Sequence, residues 1–408
     1  MKTAIKSMKC KFLAAVTAAA VLPFVSCTEI GEDEMRIDST VLVYIAADNN
    51  LESYARQNIE DIVTSGAVPE YFDSGKGSVL LVYADIRNET PVLMRLSRDR
   101  YGEVLKETLV EYDEDQNSMS DSVMNEVLSY AASLFPSERN GLVLWSHGTG
   151  WLPDGFYSNP VYGSGVSQAL MQVEEDPFAA FVKSFGSDGG SEMDVRDLVR
   201  ALPVHYSYIL FDACFMGGIE VAYELRGCCD YFLGSAAEVL AEGMPYDRIT
   251  GFLMDGRRPA LEELCSAYYE KYMDRGATIA LVDTRALDNL ASVCRDVFDS
   301  AADIIPILNM NDMQGYFRGS KHWFYDLDDL ISKLAGPEQY ETFAGAMEEA
   351  VLFKQATDVF MVSSGFGSDS FAIKTFSGLS TYVPNPENSY LNEYYRTLAW
   401  NRAVRMVR

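Results

Sequence analysis

The chain has 408 residues, of which 48% are hydrophobic and 23% charged, a composition typical of a globular protein with one large domain or two of moderate size. Its formal net charge is −27, from 60 acidic and 33 basic residues. A surface of that sign repels phosphate backbones, which argues against nucleic acid as a partner, whereas it attracts cationic substrates.

Residues 1–26 have the pattern of an export signal. The segment begins with a positive stretch that contains four lysines, Lys2, Lys6, Lys9 and Lys11. The apolar stretch over 12–26 is too short to span a membrane. It ends at FVSC, which resembles the lipobox of bacterial lipoproteins, although Phe24 stands where leucine is usual. We predict a lipoprotein signal peptide over 1–26 and lipidation of Cys27; an uncleaved hydrophobic anchor is the alternative.

An acidic tether follows over residues 27–39, with the sequence CTEIGEDEMRIDS. Acidic residues directly after the cysteine resemble a surface-export signal of some bacterial lipoproteins. We therefore expect a protein that is secreted across the inner membrane and contacts a membrane through its lipid anchor only, at the outer membrane or the cell surface. We expect it to be a monomer.

Strand-like apolar runs alternate with amphipathic helices from residue 40 onwards. The expected strands cover 40–47, 78–85, 91–97, 141–146, 206–213, 230–238 and 277–283, and the expected helices cover 50–66, 118–135, 192–202, 215–225 and 285–305. This alternation predicts crossover connections and an α/β fold with a mostly parallel central sheet.

The same pattern suggests a division of the chain. We place a core over 40–250 and a helix-rich C-terminal part over 251–408, in which a late strand near 378–384 returns to the core at the edge of the sheet. The stretch from 149 to 192 is irregular and rich in Gly, Ser, Pro and Asp. A loop of that length in a compact protein is usually functional or cleavable.

The cysteines do not form a disulfide scaffold. Beyond Cys10 and Cys27 the chain has an odd number, so at least one thiol stays unpaired: Cys214, Cys228, Cys229, Cys265 and Cys294. Neither HExxH nor CxxC occurs, and we expect no structural zinc site.

Two reactive residues follow predicted core strands. His147 comes after LVLWS, and Cys214 comes after YSYILFDA, directly before a predicted helix. Ligands of parallel sheets bind beyond the carboxyl ends of the strands, and neighbouring strands lie ~4.8 Å apart. If these two strands are neighbours, the residues form a Cys–His pair. A helix N-terminus and an imidazole both favour the nucleophilic thiolate, and the imidazole can then protonate a leaving amine.

Gly148 and Asp212 add to this interpretation. A glycine after the histidine lets a substrate carbonyl approach the backbone, and its N–H can stabilise an oxyanion. Side chains alternate along a strand, so Asp212 is expected on the same face as Cys214, ~7 Å away. A carboxylate there suits the floor of a pocket for a Lys or Arg side chain, where a bidentate carboxylate–guanidinium pair fixes the orientation of Arg.

At these residues the chain resembles the clostripain family of cysteine peptidases, in the caspase-like clan. The resemblance rests on four stretches in order, VLVYIAADNNLE, LVLWSHGTGW, ILFDACFMGGIEVAYEL and GLSTYVP. It implies a caspase-like α/β/α sandwich and an endopeptidase that cuts polypeptides after Arg or Lys. It further implies that His147 and Cys214 form the catalytic dyad, that Gly148 and Cys214 line the oxyanion site, and that Asp212 is the principal acid of the basic pocket.

The family also suggests three less direct features. A second pocket acid is expected on the loop after the following strand, where we prefer Glu242 to Glu238. Members are commonly activated by self-cleavage between the histidine and the cysteine. Lys183 is the single Lys or Arg between Arg139 and Arg196, so we expect cleavage there. The mechanism requires no cofactor; calcium dependence varies in the family, and no calcium loop is recognisable in the sequence.

Two alternative functions stay open at this point. The first is a non-catalytic surface lipoprotein that binds peptides or proteins on a peptidase scaffold. The second is another amide-bond or acyl-transfer reaction with the same dyad.

Overall fold

The computed structural model describes residues 36–71, 76–113, 116–154, 156, 185–318, 321–361, 370–386 and 388–408. The predicted signal peptide, the lipidated Cys27, most of the tether and Lys183 lie outside these residues. Among the described residues, no helix is long and apolar enough to cross a membrane.

The strands and helices alternate along most of the chain, as predicted. The strands are β1 (Arg36–Ala47), β2 (Lys76–Ile86), β3 (Val92–Arg98), β4 (Val104–Glu111), β5 (Ser137–Trp145), β6 (Phe185–Asp188), β7 (Ser191–Met193), β8 (Tyr206–Asp212), β9 (Cys229–Gly234), β10 (Thr278–Asp283), β11 (Gly315–Arg318), β12 (Lys321–Asp326), β13 (Val351–Ala356), β14 (Val359–Met361), β15 (Ser370–Ala372) and β16 (Ser380–Thr381). The helices are α1 (Glu52–Thr64), α2 (Asp121–Leu134), α3 (Val195–Ala201), α4 (Ile219–Glu224), α5 (Tyr246–Asp255), α6 (Arg258–Tyr272), α7 (Leu287–Ser300), α8 (Leu327–Leu334), α9 (Pro337–Ala350), α10 (Ser389–Tyr395) and α11 (Ala399–Val404).

A nine-stranded sheet runs through the centre of the fold, in the order β13-β10-β9-β8-β5-β1-β2-β3-β4. Its five central strands, from β9 to β2, are parallel to one another. At one edge β10 pairs antiparallel with β9 and β13 with β10, and at the other β3 pairs antiparallel with β2 and β4 with β3. The prediction of an α/β fold with a mostly parallel sheet is confirmed. Such a sheet needs cover on both faces, which explains why its central strands are almost continuously apolar.

The two faces of the sheet pack against different helices. In β1, Val41, Val43 and Ile45 point toward a core shared with α1, α5 and α6. Leu42 and Tyr44 point toward the opposite core, to which α2, α3, α4, α7 and the later helices belong. Burial of these apolar side chains contributes ~25 cal/mol per Å² and holds the layers together.

The region after Cys214 differs from its prediction. We expected a helix over 215–225, but α4 begins only at Ile219 and is followed by a 3₁₀ turn at Leu225–Gly227. A Cβ on Gly217 would lie 2.6 Å from the backbone nitrogen of Ala236, so this glycine packs directly against the segment after β9. That close approach keeps residues 215–218 out of the helix.

The late strand near 378–384 also differs from its prediction, because it does not join the nine-stranded sheet. Ser380–Thr381 pairs with β12 in a three-stranded sheet and bridges to Gly218. The buried Glu220 holds the segment in this place, since its Oε1 accepts hydrogen bonds from the Thr381 hydroxyl and the Tyr382 N–H at 2.9 and 2.8 Å.

The part beyond residue 250 contributes more than helices. It supplies β10 and β13 to the central sheet, and residues 35–408 form one compact unit. The proposed boundary at residue 250 therefore falls inside that unit.

Candidate active site

The carboxyl ends of β5 and β8 lie side by side. The two strands pair in parallel with Trp145 opposite Asp212, and the Ser146 N–H donates to the Asp212 carbonyl at 3.4 Å. A Cβ on Gly148 would overlap the carbonyl oxygen of Cys214 and lie 3.0 Å from its nitrogen. The adjacency that the sequence left open is thus present, and the chain leaves both strands with residues 147–148 against residue 214.

The thiol of Cys214 sits in a partly enclosed position. The residue is 8% exposed, and its Sγ lies 3.3 Å from the Val239 N–H nitrogen, which donates to it, and 3.4 Å from the Val239 carbonyl, to which it donates. Phe215 follows in the left-handed region, with φ of 60°. A non-glycine residue in that region is strained, and such strain is held by its surroundings, here by the Phe215 N–H, which donates to the Ala237 carbonyl at 2.8 Å.

The helix after the thiol is less close than expected. The six-residue α4 begins five positions after Cys214, so its N-terminus does not adjoin the thiol in sequence. The groups that fix Cys214 are instead the left-handed turn and the main chain of Val239.

Asn50 is a site residue that the sequence analysis missed. Its Oδ1 lies 2.8 Å from the Nε2 of His147, on the segment that follows β1. Because an amide oxygen only accepts, this hydrogen bond places the proton on Nε2 and leaves Nδ1 as the basic nitrogen. The available signal was position: β1 neighbours β5, and Asn50 comes three residues after the end of β1.

The hairpin of β6 and β7 supports the histidine from another side. The Gly186 N–H donates to the His147 carbonyl at 2.9 Å. This hairpin begins at Phe185, two residues beyond Lys183. The placement of the hairpin and of His147 are therefore linked.

Asp212 is buried beneath a loop and does not form an open pocket floor. It is 3% exposed, and its Oδ2 accepts hydrogen bonds at 2.9 Å from both the Met244 N–H and the Tyr246 hydroxyl. A Cβ on Gly243 would lie 2.7 Å from Oδ2, so the loop backbone rests on the carboxylate. The expected bidentate contact with a substrate guanidinium is thus not available in this arrangement.

The charge of Asp212 is balanced inside the protein. Burial raises the pKa of its carboxyl to about 6, against the opposing effects of the Met244 N–H, the Tyr246 hydroxyl and the Lys271 ammonium. Lys271 also fixes the loop over Asp212, since its Nζ donates to three successive carbonyls, those of Glu242, Gly243 and Met244, at 3.2, 3.0 and 3.3 Å.

The two glutamates proposed for the pocket have different surroundings. Glu238 is buried, whereas the Glu242 side chain is 41% exposed on the loop that covers Asp212. Glu242 forms an ion pair with Arg275, with 2.7 Å between Oε1 and Nη1.

The sequence model of the clostripain family matches residues 43–175 and 179–405. The chain belongs to the clostripain family. It is similar to an inactive zymogen C11 protease from Parabacteroides distasonis, at 33% identity and a TM-score of 0.76, over 90% of this chain and 97% of that one. It is also similar to a secreted C11 cysteine protease from Bacteroides thetaiotaomicron in complex with an irreversible peptide inhibitor, at 28% identity and a TM-score of 0.74, over 90% of this chain and 99% of that one. No curated protein matches the chain by sequence.

The family match includes the strand ends that carry His147 and Cys214. The protein is accordingly a cysteine peptidase, and polypeptides are its substrates. Among the described residues of this clostripain-family member, no cluster of three or more His, Cys, Asp or Glu side chains could hold a metal ion.

A second group of buried carboxyls lies near the active site of this family member. Asp85, near the end of β2, accepts a short hydrogen bond from the Ser118 hydroxyl, and Asp188, in β6, accepts one from the Ser118 N–H. Burial and the neighbouring Asp188 carboxyl raise the pKa of Asp85 to about 7, and burial also raises the pKa of Asp188. These two acids attach the hairpin that contacts His147 to the central sheet.

Proposed function

We propose that this cysteine peptidase cleaves polypeptides after Arg or Lys, with Cys214 as the nucleophile and His147 as the proton-transfer group. The observation that carries the proposal is the parallel pairing of β5 with β8, which brings residues 147–148 against residue 214. A thiol and an imidazole at adjacent strand ends suit acyl transfer.

The reaction proceeds in two halves. His147 takes the thiol proton, the thiolate of Cys214 attacks the scissile carbonyl carbon, and the tetrahedral intermediate expels an amine that His147 protonates. In the second half, His147 takes a proton from a water molecule that attacks the thioester carbonyl carbon. The tetrahedral intermediate then expels the Cys214 sulfur, which receives that proton from His147, and the peptide leaves as a carboxylic acid. The hydrogen bond that Nε2 of His147 donates to Oδ1 of Asn50 keeps Nδ1 as the nitrogen that exchanges protons with the thiol. The N–H groups of Gly148 and Cys214 stabilise the oxyanion of each intermediate.

Selection of basic side chains depends on acids of two kinds. Asp212 acts from beneath the loop, as a buried charge rather than as a direct ligand, because the Gly243 backbone covers it. Glu242 lies on the exposed side of the same loop and is the acid that a substrate cation can contact. Glu242 comes three residues after Val239, whose N–H donates to the thiol of Cys214.

Activation by self-cleavage after Lys183 is part of the proposal. The zymogen state of the similar Parabacteroides distasonis protease supports it. Gly186, whose N–H contacts the His147 carbonyl, comes three residues after Lys183. A cut there releases the hairpin that contacts His147 from the loop before it, which would allow the position of the histidine to change.

The proposal also covers the cellular location and the oligomeric state of the protein. We infer a monomeric lipoprotein, lipidated at Cys27 and anchored at the outer membrane or cell surface. The similar Bacteroides thetaiotaomicron protease is described as secreted, which supports export. The proposed mechanism uses no cofactor, and a requirement for calcium is tested by adding a chelator to the assay.

The decisive experiment compares the wild type with Cys214→Ala on fluorogenic peptides that end in Arg, Lys, Asp or Leu. We expect cleavage of the Arg and Lys peptides only, and its loss in the variant. Asn50→Ala should lower kcat about 10- to 100-fold with a smaller change in KM, because a misplaced imidazole still reaches the thiol in a fraction of molecules. Cleavage that persists in Cys214→Ala contradicts the assigned nucleophile.

A silent wild type has two explanations, which a further measurement separates. If an Arg-directed alkylating agent labels Cys214 stoichiometrically, the dyad is competent. If neither the intact chain nor a chain cut after Lys183 reacts, the protein binds peptides without cleaving them.

A further inference from the structure

The two acids assigned to the basic pocket already have cationic partners within the chain. Lys271 lies near Asp212 and lowers the pKa of its carboxyl, and Arg275 forms an ion pair with Glu242. Burial alone would raise the pKa of Glu242, but the hydrogen bond and the charge of Arg275 lower it. Each acid is therefore compensated before a substrate arrives.

The pairs differ in how firmly they are held. The Lys271 ammonium is half-buried and bound to three main-chain carbonyls. Arg275 is 47% exposed, and its partner Glu242 is 41% exposed. An exposed pair of this kind exchanges partners readily, because surface ion pairs contribute only ~0–1 kcal/mol. Arg275 is thus the cation that a substrate can displace.

The backbone under Glu242 does not depend on Arg275. The Asn58 side-chain amide donates to the Glu242 carbonyl at 3.1 Å, and the Tyr272 hydroxyl donates to the Gly243 carbonyl at 2.6 Å. Together with Lys271, these contacts fix the loop on both sides. A change at Arg275 therefore alters the charge available at Glu242 and leaves the loop in place.

We propose that Arg275 is a specificity-determining residue that competes with the basic side chain of the substrate for Glu242. It holds the pocket close to electrical neutrality and so limits the preference for Arg over an uncharged side chain of equal size. This inference rests on the proposed function, because it assumes that the loop of Glu242 receives the substrate side chain before the scissile bond.

The test uses two peptides that differ only in Arg or citrulline before the scissile bond, since citrulline is a neutral, nearly isosteric replacement. Arg275→Gln should raise kcat/KM for the Arg peptide on the order of tenfold, through KM, and leave the citrulline peptide unchanged. Glu242→Gln should lower kcat/KM for the Arg peptide on the order of tenfold, because Arg275 then repels the substrate. In the double variant the two effects should largely cancel.

Two control variants exclude a change in folding as the cause. Arg248→Gln breaks a comparable exposed pair with Glu270, on the neighbouring helices, and should leave the Arg-to-citrulline ratio unchanged. Arg275→Lys keeps a cation beside Glu242 and should stay close to the wild type. An Arg-to-citrulline ratio in Arg275→Gln equal to that in Arg248→Gln overturns the inference.

Failure of the proposed function is distinguishable from failure of this inference. A wild type that has been cut after Lys183 and cleaves neither peptide contradicts cleavage after Arg. Binding of agmatine, a small guanidinium compound, to Cys214→Ala then decides the role of Arg275. Binding that is about tenfold tighter in Cys214→Ala/Arg275→Gln supports the competition, and equal binding overturns it.

Discussion

The two groups of buried acids near the carboxyl ends of the parallel strands balance their charge in different ways. Asp212 receives fixed donors from Met244 and Tyr246 and lies near the ammonium of Lys271. Asp85 and Asp188 both accept hydrogen bonds from Ser118, from its hydroxyl and its N–H respectively. The nearby Asp48 carboxyl raises the pKa of both acids. The negative charge of Asp212 is thus compensated by the Lys271 ammonium, whereas the charge of the Asp85–Asp188 pair is reduced by protonation.

The difference shows what burial alone does to a carboxyl. Burial raises the pKa in both groups, but the opposing donors and Lys271 hold Asp212 at about 6, whereas a second carboxyl brings Asp85 to about 7. Asp212 is thus suited to stay charged near the thiol. The pair of Asp85 and Asp188 is suited to share a proton and to hold the hairpin that supports His147.

Removal of the cation from the first group should have the largest effect. Lys271→Met leaves Asp212 without its nearby ammonium and removes the common donor of three carbonyls, so we expect a loss of about 3 kcal/mol in the free energy of unfolding at pH 7. The loss should be smaller at pH 5, where Asp212 is protonated more easily. Denaturant titration measures both values. Lys106→Met, at an exposed pair with Glu60, is the control and should change stability by less than about 0.5 kcal/mol.

Removal of one acid from the second group should change the pH dependence. The folded protein holds a shared proton on Asp85 and Asp188 that the unfolded chain releases above pH ~4, so stability falls as the pH rises from ~4 through the raised pKa of Asp85, about 7. Asp188→Asn abolishes the repulsion and keeps an acceptor for Ser118. We expect the variant to be more stable than the wild type by about 2 kcal/mol at pH 8, with little difference at pH 5.

The control for this comparison is Asp121→Asn, which changes an exposed aspartate paired with Arg200. Its stability should follow the wild type at every pH. A difference between Asp188→Asn and the wild type that is constant from pH 5 to pH 8 contradicts the shared proton.

Loss of one fixed donor to Asp212 should have the smallest effect. Tyr246→Phe removes the hydroxyl at 2.9 Å but leaves the Met244 N–H, so we expect a loss of about 1.5 kcal/mol at pH 7 and a pKa of Asp212 above 6. Tyr208→Phe removes a buried hydroxyl that donates to the Leu253 carbonyl and not to a carboxylate. It should cost about 1 kcal/mol without changing the pH dependence. If both variants show the same pH dependence, the hydroxyl of Tyr246 does not stabilise the charged form of Asp212.

Much of the fold was predictable because its signals are local. The apolar runs that became β1, β2, β5, β8 and β9 are almost continuous, as strands covered on both faces must be. Their alternation with helices requires crossovers and hence parallel pairing. The edges were harder: β4 has mostly exposed side chains and β13 only partly buried ones, so neither shows the apolar run of a central strand.

By itself, the sequence determined the positions of His147 and Cys214 at strand ends, since each directly follows an apolar run, and its family motifs indicated their chemistry. Only the tertiary structure decided which residues surround them. Asn50 meets His147 across 97 positions, and Asp212 meets Tyr246 across 34. Such partners are chosen by the order of strands in the sheet and by the packing of α5 and α6 on one face, which no local pattern encodes. The burial of Asp212 and the pairing of Glu242 with Arg275 have the same origin, because these charged side chains contact their partners only after the helices have packed against the sheet.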